Sequence, residues 1–106
     1  MASDGKIVPE DANDLSQFYH ALVAKGDNAF IIAEFSEITN LQTANGCAFY
    51  YLGLAHQRAE DFSSARNAFL AAVDLKFSDR WLPYNLATEY WYLEDYSSAA
   101  TWYREG

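Results

Sequence analysis

Cysteine, proline and glycine are scarce in this chain of 106 residues, which contains one cysteine, two prolines and five glycines. A single cysteine, Cys47, cannot form a disulfide within the chain, so the sequence says little about the redox compartment. A hydrophobic content of 51% argues against disorder. A domain of this length buries about two-thirds of its unfolded surface, which is enough for one modest core.

Basic residues and long apolar runs are also few. Seven Lys and Arg stand against 15 Asp and Glu, which gives a net charge of −8 and a sequence pI near 4.4. This charge repels phosphate groups, so nucleic acid and anionic membrane surfaces are not expected as partners. The longest apolar runs, such as residues 30–33, are far shorter than the roughly 20 residues that span a bilayer, and no membrane insertion is expected. No signal peptide is visible at the N-terminus, which favours a cytoplasmic chain.

The main positive feature is a repeat with a period of 34 residues. The segment DFSSA at 61–65 returns as DYSSA at 95–99, and Asp27 precedes Asp61 by the same interval. A fixed period of this size is typical of stacked helical repeats.

Apolar residues at helical spacing predict an all-α chain of about six helices in three pairs. A flexible lead-in is predicted for 1–8 and a single domain for 9–106. The first predicted helix begins near Pro9 and ends at Gly26. The other five are predicted at 28–38, 46–59, 62–75, Ser78 to 93 and 96 to the end. Ser78 and Asp79 are predicted to cap the fifth helix, and the serine pairs at 63–64 and 97–98 to cap the fourth and sixth.

The second repeat resembles the tetratricopeptide repeat (TPR). Its pattern F-x2-L-G-x2-H begins at Phe49, and A-x3-F-x2-A begins at Ala65. The resemblance places repeats at about 12–45, 46–79 and 80–106, the first degenerate and the last truncated. It implies antiparallel helix pairs stacked as a short right-handed α-solenoid. The first repeat has Tyr19 and Ile31 where small residues belong, so its two helices are expected to lie further apart or to shift in register.

In the TPR family the first helix of each pair lines a concave groove that binds protein or peptide segments. The resemblance assigns nine residues to this groove: Tyr50, Leu54, Gln57, Arg58, Trp81, Tyr84, Asn85, Thr88 and Tyr92. Tyr, Trp and Arg are the residue types that dominate binding hot spots. The alternative is that these aromatic side chains pack between helices as core.

No catalytic constellation stands out, so no enzymatic activity, cofactor or metal is expected. His20 and His56 lack partners at metal-ligand spacing and are interpreted as structural or surface residues. Cys47 is expected to be an inert, buried or partly buried thiol.

The sequence therefore predicts a non-enzymatic adaptor or scaffold that binds a protein or peptide segment. Two alternatives remain open, a small acidic TPR chaperone of the type III secretion kind and an accessory or dimerisation domain of a larger protein. No polar capping helix follows the last pair. We expect the native chain to continue beyond Gly106, the alternative being that this C-terminal edge pairs with a partner or another copy.

Overall fold

In a computed structural model, which describes residues 11–105, all the regular secondary structure of this range is α-helical, with no strand. The all-α prediction is confirmed, with adjacent helices packed in pairs. The predicted lead-in and the end at Gly106 lie outside the described residues. The helices are α1 (Ala12–Lys25), α2 (Asn28–Leu41), α3 (Gly46–Arg58), α4 (Phe62–Asp74), α5 (Leu82–Tyr92) and α6 (Tyr96–Glu105).

The 34-residue period of the sequence appears in the helix starts. The carboxylates of Asp27, Asp61 and Asp95 each accept the backbone N–H of the residue three positions further on, at 3.1, 3.2 and 3.2 Å. These aspartates, and not the serine pairs, therefore cap α2, α4 and α6. The serines lie inside the first turn, whereas an N-cap side chain must come from the residue just before it.

The same period appears in the backbone at the end of each first helix. Gly26, Glu60 and Glu94 are 34 residues apart and all have positive φ, at 77°, 62° and 64°. Each lies directly before a capping aspartate. A left-handed residue ends the first helix of each pair, and the aspartate begins the second.

Three helix boundaries differ from the prediction by more than one residue. Helix α1 begins at Ala12 and not near Pro9, because the Asp11 carboxylate caps it by accepting the Asp14 backbone N–H at 2.9 Å. Helix α2 continues to Leu41, because neither Pro nor Gly interrupts the chain after Ile38. Helix α5 begins at Leu82, with Pro83 in its first turn, and has no side-chain cap. The Asp79 carboxylate instead accepts the backbone N–H of Trp81 at 2.8 Å, which holds the turn before the helix.

Close helix packing in the second pair depends on Gly53. A Cβ atom at this position would lie 2.5 Å from the ring of Phe69 on α4, so only glycine lets the ring pack against the α3 backbone. In the first pair the equivalent position holds Tyr19, and both Tyr19 and Ile31 are buried. Helices α1 and α2 accordingly approach each other much less closely than α3 and α4 do, as expected from the large residues.

The core consists of two apolar clusters. The first joins α1, α2 and α3 around Leu15, Phe35 and Leu52. The second joins α3, α4 and α5 around Tyr50, Phe69 and Leu86. Helix α3 contributes to both clusters and is therefore the central element of the fold.

Candidate partner-binding surface

Helices α3 and α5 carry the nine residues that the sequence assigned to a groove. Helix α3 contributes Tyr50, Leu54, Gln57 and Arg58, and α5 with the residue before it contributes Trp81, Tyr84, Asn85, Thr88 and Tyr92. Side-chain hydrogen bonds and a shared cavity join the two helices, so these residues lie on neighbouring elements.

Tyr50 does not line this surface, which corrects the prediction for that residue. Its side chain is 7% exposed and packs against Phe69 and Phe77, with ring centroids 5.7 and 5.4 Å away. The Asn85 side chain donates a hydrogen bond to the Tyr50 hydroxyl at 3.2 Å. Burial, followed by the nearby Asp79 carboxylate, raises the pKa of Tyr50 well above its ordinary value. Tyr50 therefore joins α5 to α3 as part of the core.

Arg58 and Tyr92 occupy equivalent positions in successive repeats, and each contacts the start of the preceding second helix. The Arg58 Nε donates to the Asn28 side-chain oxygen at 3.1 Å, and the Asn28 amide donates to the Arg58 carbonyl at 3.3 Å. One repeat later Tyr92 stacks on Phe62, with ring centroids 4.3 Å apart and planes 6° from parallel. The same contact is therefore made once by hydrogen bonds and once by aromatic stacking.

A cavity of about 390 Å³ lies beside these contacts, between α3 and α5. Arg58 and Tyr92 are exposed there, and Gln57 and Thr88 are half-buried. Its lining residues are Gln57, Arg58, Glu60, Phe62, Thr88 and Tyr92. The cavity combines a guanidinium group, a carboxylate, an amide and two rings, which is the mixture that orients a peptide by both hydrogen bonding and apolar contact.

Beneath this cavity wall lies a buried carboxyl group that the sequence reasoning missed. Glu89 is fully buried, and the Gln57 amide donates to one of its oxygens across the α3–α5 interface. Its other oxygen has no hydrogen-bond partner. Burial raises the pKa of Glu89 to about 7, against the lowering effect of the Gln57 hydrogen bond. The 34-residue period could have indicated this burial, because Glu89 aligns with Ala55, a small apolar residue that is also buried.

A second cavity, of about 310 Å³, lies at the other end of α5. It is lined by Arg80, Trp81, Tyr84 and Tyr103. The Arg80 guanidinium lies 5.0 Å from the centre of the Trp81 ring, in cation–π contact. Trp81, Tyr84 and Tyr103 are all exposed. The sequence reasoning assigned Trp81 and Tyr84 to the groove but missed Arg80 and Tyr103.

The two interpretations of the aromatic residues therefore apply to different residues. Tyr50 belongs to the core, whereas Trp81, Tyr84 and Tyr92 are exposed. Leu54 is half-buried and packs against both core clusters. The exposed large hydrophobic side chains are concentrated in the last pair, where Trp91 and Tyr96 also contact each other at 4.8 Å between centroids.

The remaining reactive side chains lie apart from this surface. Cys47 is buried, as expected, and burial followed by the Asp79 and Asp11 carboxylates raises its pKa to about 11, which disfavours the thiolate. Burial lowers the pKa of His56, whose Nδ1 has no hydrogen-bond partner. Within 11–105 no three His, Cys, Asp or Glu side chains are grouped so that they could hold a metal ion.

Among the helices of the described range, none has the length and apolar character needed to cross a membrane. Comparisons with protein-family models, with curated proteins and with solved structures give no match to this chain.

Proposed function

We propose that this chain is a non-enzymatic TPR-like module that acts in the cytoplasm and binds a protein or peptide segment on the α3–α5 surface. The observation that carries the proposal is the set of exposed aromatic side chains on α5 and at its start, Trp81, Tyr84 and Tyr92. Exposed Arg58 of α3 shares one cavity with Tyr92. Exposed aromatic and arginine side chains around a cavity are characteristic of binding hot spots.

The TPR-like character is supported by the repetition of contacts, in addition to sequence pattern. Capping aspartates and left-handed residues recur every 34 positions. Asn28–Arg58 and Phe62–Tyr92 are the same inter-repeat contact. Each helix pair thus packs on its neighbour in a repeated way, as in stacked helical repeats.

The surface is expected to recognise a segment by an apolar anchor and a charged group together. The Phe62–Tyr92 stack offers an aromatic wall, and the Asn28 hydrogen bonds hold Arg58 beside it. A side chain bound against the stack would lie within reach of the guanidinium, which pairs with a carboxylate or a carbonyl oxygen.

The test is an affinity capture with tagged protein, comparing the wild type with R58A/Y92A and W81A. We expect both variants to recover a specific binding protein at least tenfold less well, with an unchanged helical circular dichroism spectrum. The matched control is L41A, which removes an exposed apolar side chain at the opposite end of α2 from Asn28. If the substituted proteins recover the same partners as L41A and the wild type, the α3–α5 surface is not the binding site.

A further inference from the structure

Two aromatic pairs occupy equivalent places in successive repeats but differ in exposure. Tyr50 and Phe69 have centroids 5.7 Å apart, and Tyr84 and Tyr103, which lie 34 residues later, have centroids 5.8 Å apart. The first pair is 7% and 0% exposed, whereas the second is 51% and 46% exposed. The two pairs have nearly the same ring separation, so their difference in exposure comes from whether another helix covers the pair.

Helix α5 covers the first pair. Its residues Leu82 and Leu86 share one buried apolar cluster with Tyr50 and Phe69. Asn85, which lies between the two leucines, donates its side-chain hydrogen bond to the Tyr50 hydroxyl at 3.2 Å. The fold itself therefore shows which kind of helix fits on such a pair, namely one with leucines four residues apart and an amide side chain between them.

We propose that an amphipathic helix of a partner protein docks over Tyr84 and Tyr103, in the position that α5 takes over Tyr50 and Phe69. This proposal rests on the proposed function, because it names the class of partner bound at one end of the same surface. Two leucines of the partner helix, four residues apart, cover the two rings. An amide side chain three residues after the first leucine donates to the Tyr84 hydroxyl.

The surroundings of the pair favour a partner helix over a second copy of the chain. The cavity lined by Arg80, Trp81, Tyr84 and Tyr103 is about 310 Å³ and accepts an aliphatic side chain beside the rings. Two copies, each with a net charge of −8, repel each other, whereas a neutral or basic helix is attracted. The partner helix is therefore expected to carry no net negative charge.

The test is an NMR titration of the ¹⁵N-labelled full chain with an unlabelled probe peptide. The probe copies residues 79–94 with the substitutions E89A and E94K, which keep Leu82, Asn85 and Leu86 and give it a positive net charge. We expect saturable shifts of the Trp81 indole N–H and of the Tyr84 and Tyr103 amides. The variant Y84A/Y103A is expected to bind the probe at least tenfold more weakly.

The matched control is the same peptide with L82S and L86S, which removes the apolar face, leaves the net charge of the probe unchanged and needs no change to the protein. It is expected to cause none of these shifts, so the conclusion does not depend on the folding of a variant. Absence of shifts at about 1 mM probe, which corresponds to binding weaker than about −4 kcal/mol, would overturn the proposal. Shifts of the same residues on dilution of the protein alone would also overturn it, in favour of self-association.

The R58A/Y92A variant separates this inference from the proposed function. It is expected to bind the probe as the wild type does, because its substitutions lie at the opposite end of α5 from Tyr84. If the capture experiment fails while the probe still binds, the proposed function is wrong and helix docking remains. If capture succeeds and the probe does not bind, only the helix-docking inference is wrong.

Discussion

Glu89 and Ala55 occupy the same position in successive repeats and are both fully buried. Replacing a methyl group by a carboxyl group at a buried position is costly unless the carboxyl is neutral or hydrogen-bonded on both oxygens. Gln57 donates to one oxygen, and the other has no partner. In the preceding repeat the equivalent of Gln57 is Val23, which packs against the cluster that contains Ala55. The α3–α5 interface thus has the polar pair Gln57 and Glu89 at the positions where the α1–α3 interface has the apolar pair Val23 and Ala55.

The raised pKa of Glu89, about 7 against an ordinary 4.5, predicts a stability that depends on pH. The folded state holds this proton more tightly than the unfolded state does. The resulting stabilisation is complete below about pH 4.5 and is lost as the pH rises through 7. Between pH 5 and 8 we expect the wild type to lose about 2 kcal/mol of unfolding free energy, measured by urea denaturation, relative to E89Q. The exposed-site variant E94Q serves as the control and should follow the wild type. Parallel curves for the wild type and E89Q would contradict the assignment.

The features that the sequence predicted depend on interactions between residues close in the chain, and those that it missed depend on contacts between distant residues. The aspartate at position 61 marks a helix start within its own few residues, so this boundary could be read from local pattern. The burial of Tyr50 depends on Phe77 and on Asn85, which lies 35 positions away, and a pattern within one helix does not contain that information. Tyr84 occupies the position of Tyr50 one repeat later but is exposed, because no further helix of the described range packs over it.

At the scale of the elements, each pair is joined by the same short turn. A left-handed residue ends the first helix, and the next residue is an aspartate whose carboxylate accepts a backbone N–H of the second helix. At Asp61 the hydroxyl and the backbone N–H of Ser64 lower the pKa of the carboxyl, so the cap is charged well into the acid range. The left-handed position is glycine in the first turn but Glu60 and Glu94 in the other two. These two turns therefore hold an L-residue in a strained conformation.

Because Gly26 adopts the same conformation without a Cβ atom, E60G is expected to stabilise the fold. Relief of the left-handed strain, about 1–2 kcal/mol, exceeds the added entropy of the unfolded chain, so the net gain is up to about 1 kcal/mol. Thermal and urea denaturation measure the change. The control is A33G, which places a glycine at an exposed position inside α2 and should destabilise by about 1 kcal/mol. Equal destabilisation by both substitutions would show that the turn at Glu60 is not strained.

At the scale of the whole molecule, the two apolar clusters meet at α3. The first cluster holds α1 and α2 against α3, and the second attaches α5 to α3 and α4. Helix α6 packs against α5 and contributes one buried side chain, Ala99. The last pair therefore depends on α5 for its attachment, while α1 and α2 do not. In a stack where each unit contacts only its neighbours, stability is a sum of local terms, and one end can open while the other stays folded.

Leu86 is the residue whose loss should separate the two ends. It is fully buried in the second cluster, and L86A is expected to cost about 3 kcal/mol by removing apolar contacts and leaving a cavity. Hydrogen exchange is the decisive measurement, because it reports each helix separately. We expect the amides of α5 and α6 to lose protection in L86A while those of α2 retain it. L15A, a matched truncation in the first cluster, should loosen α1 and leave α5 and α6 protected. A uniform loss of protection in both variants would instead mean that the six helices unfold as one cooperative unit, with α3 transmitting the defect from one cluster to the other.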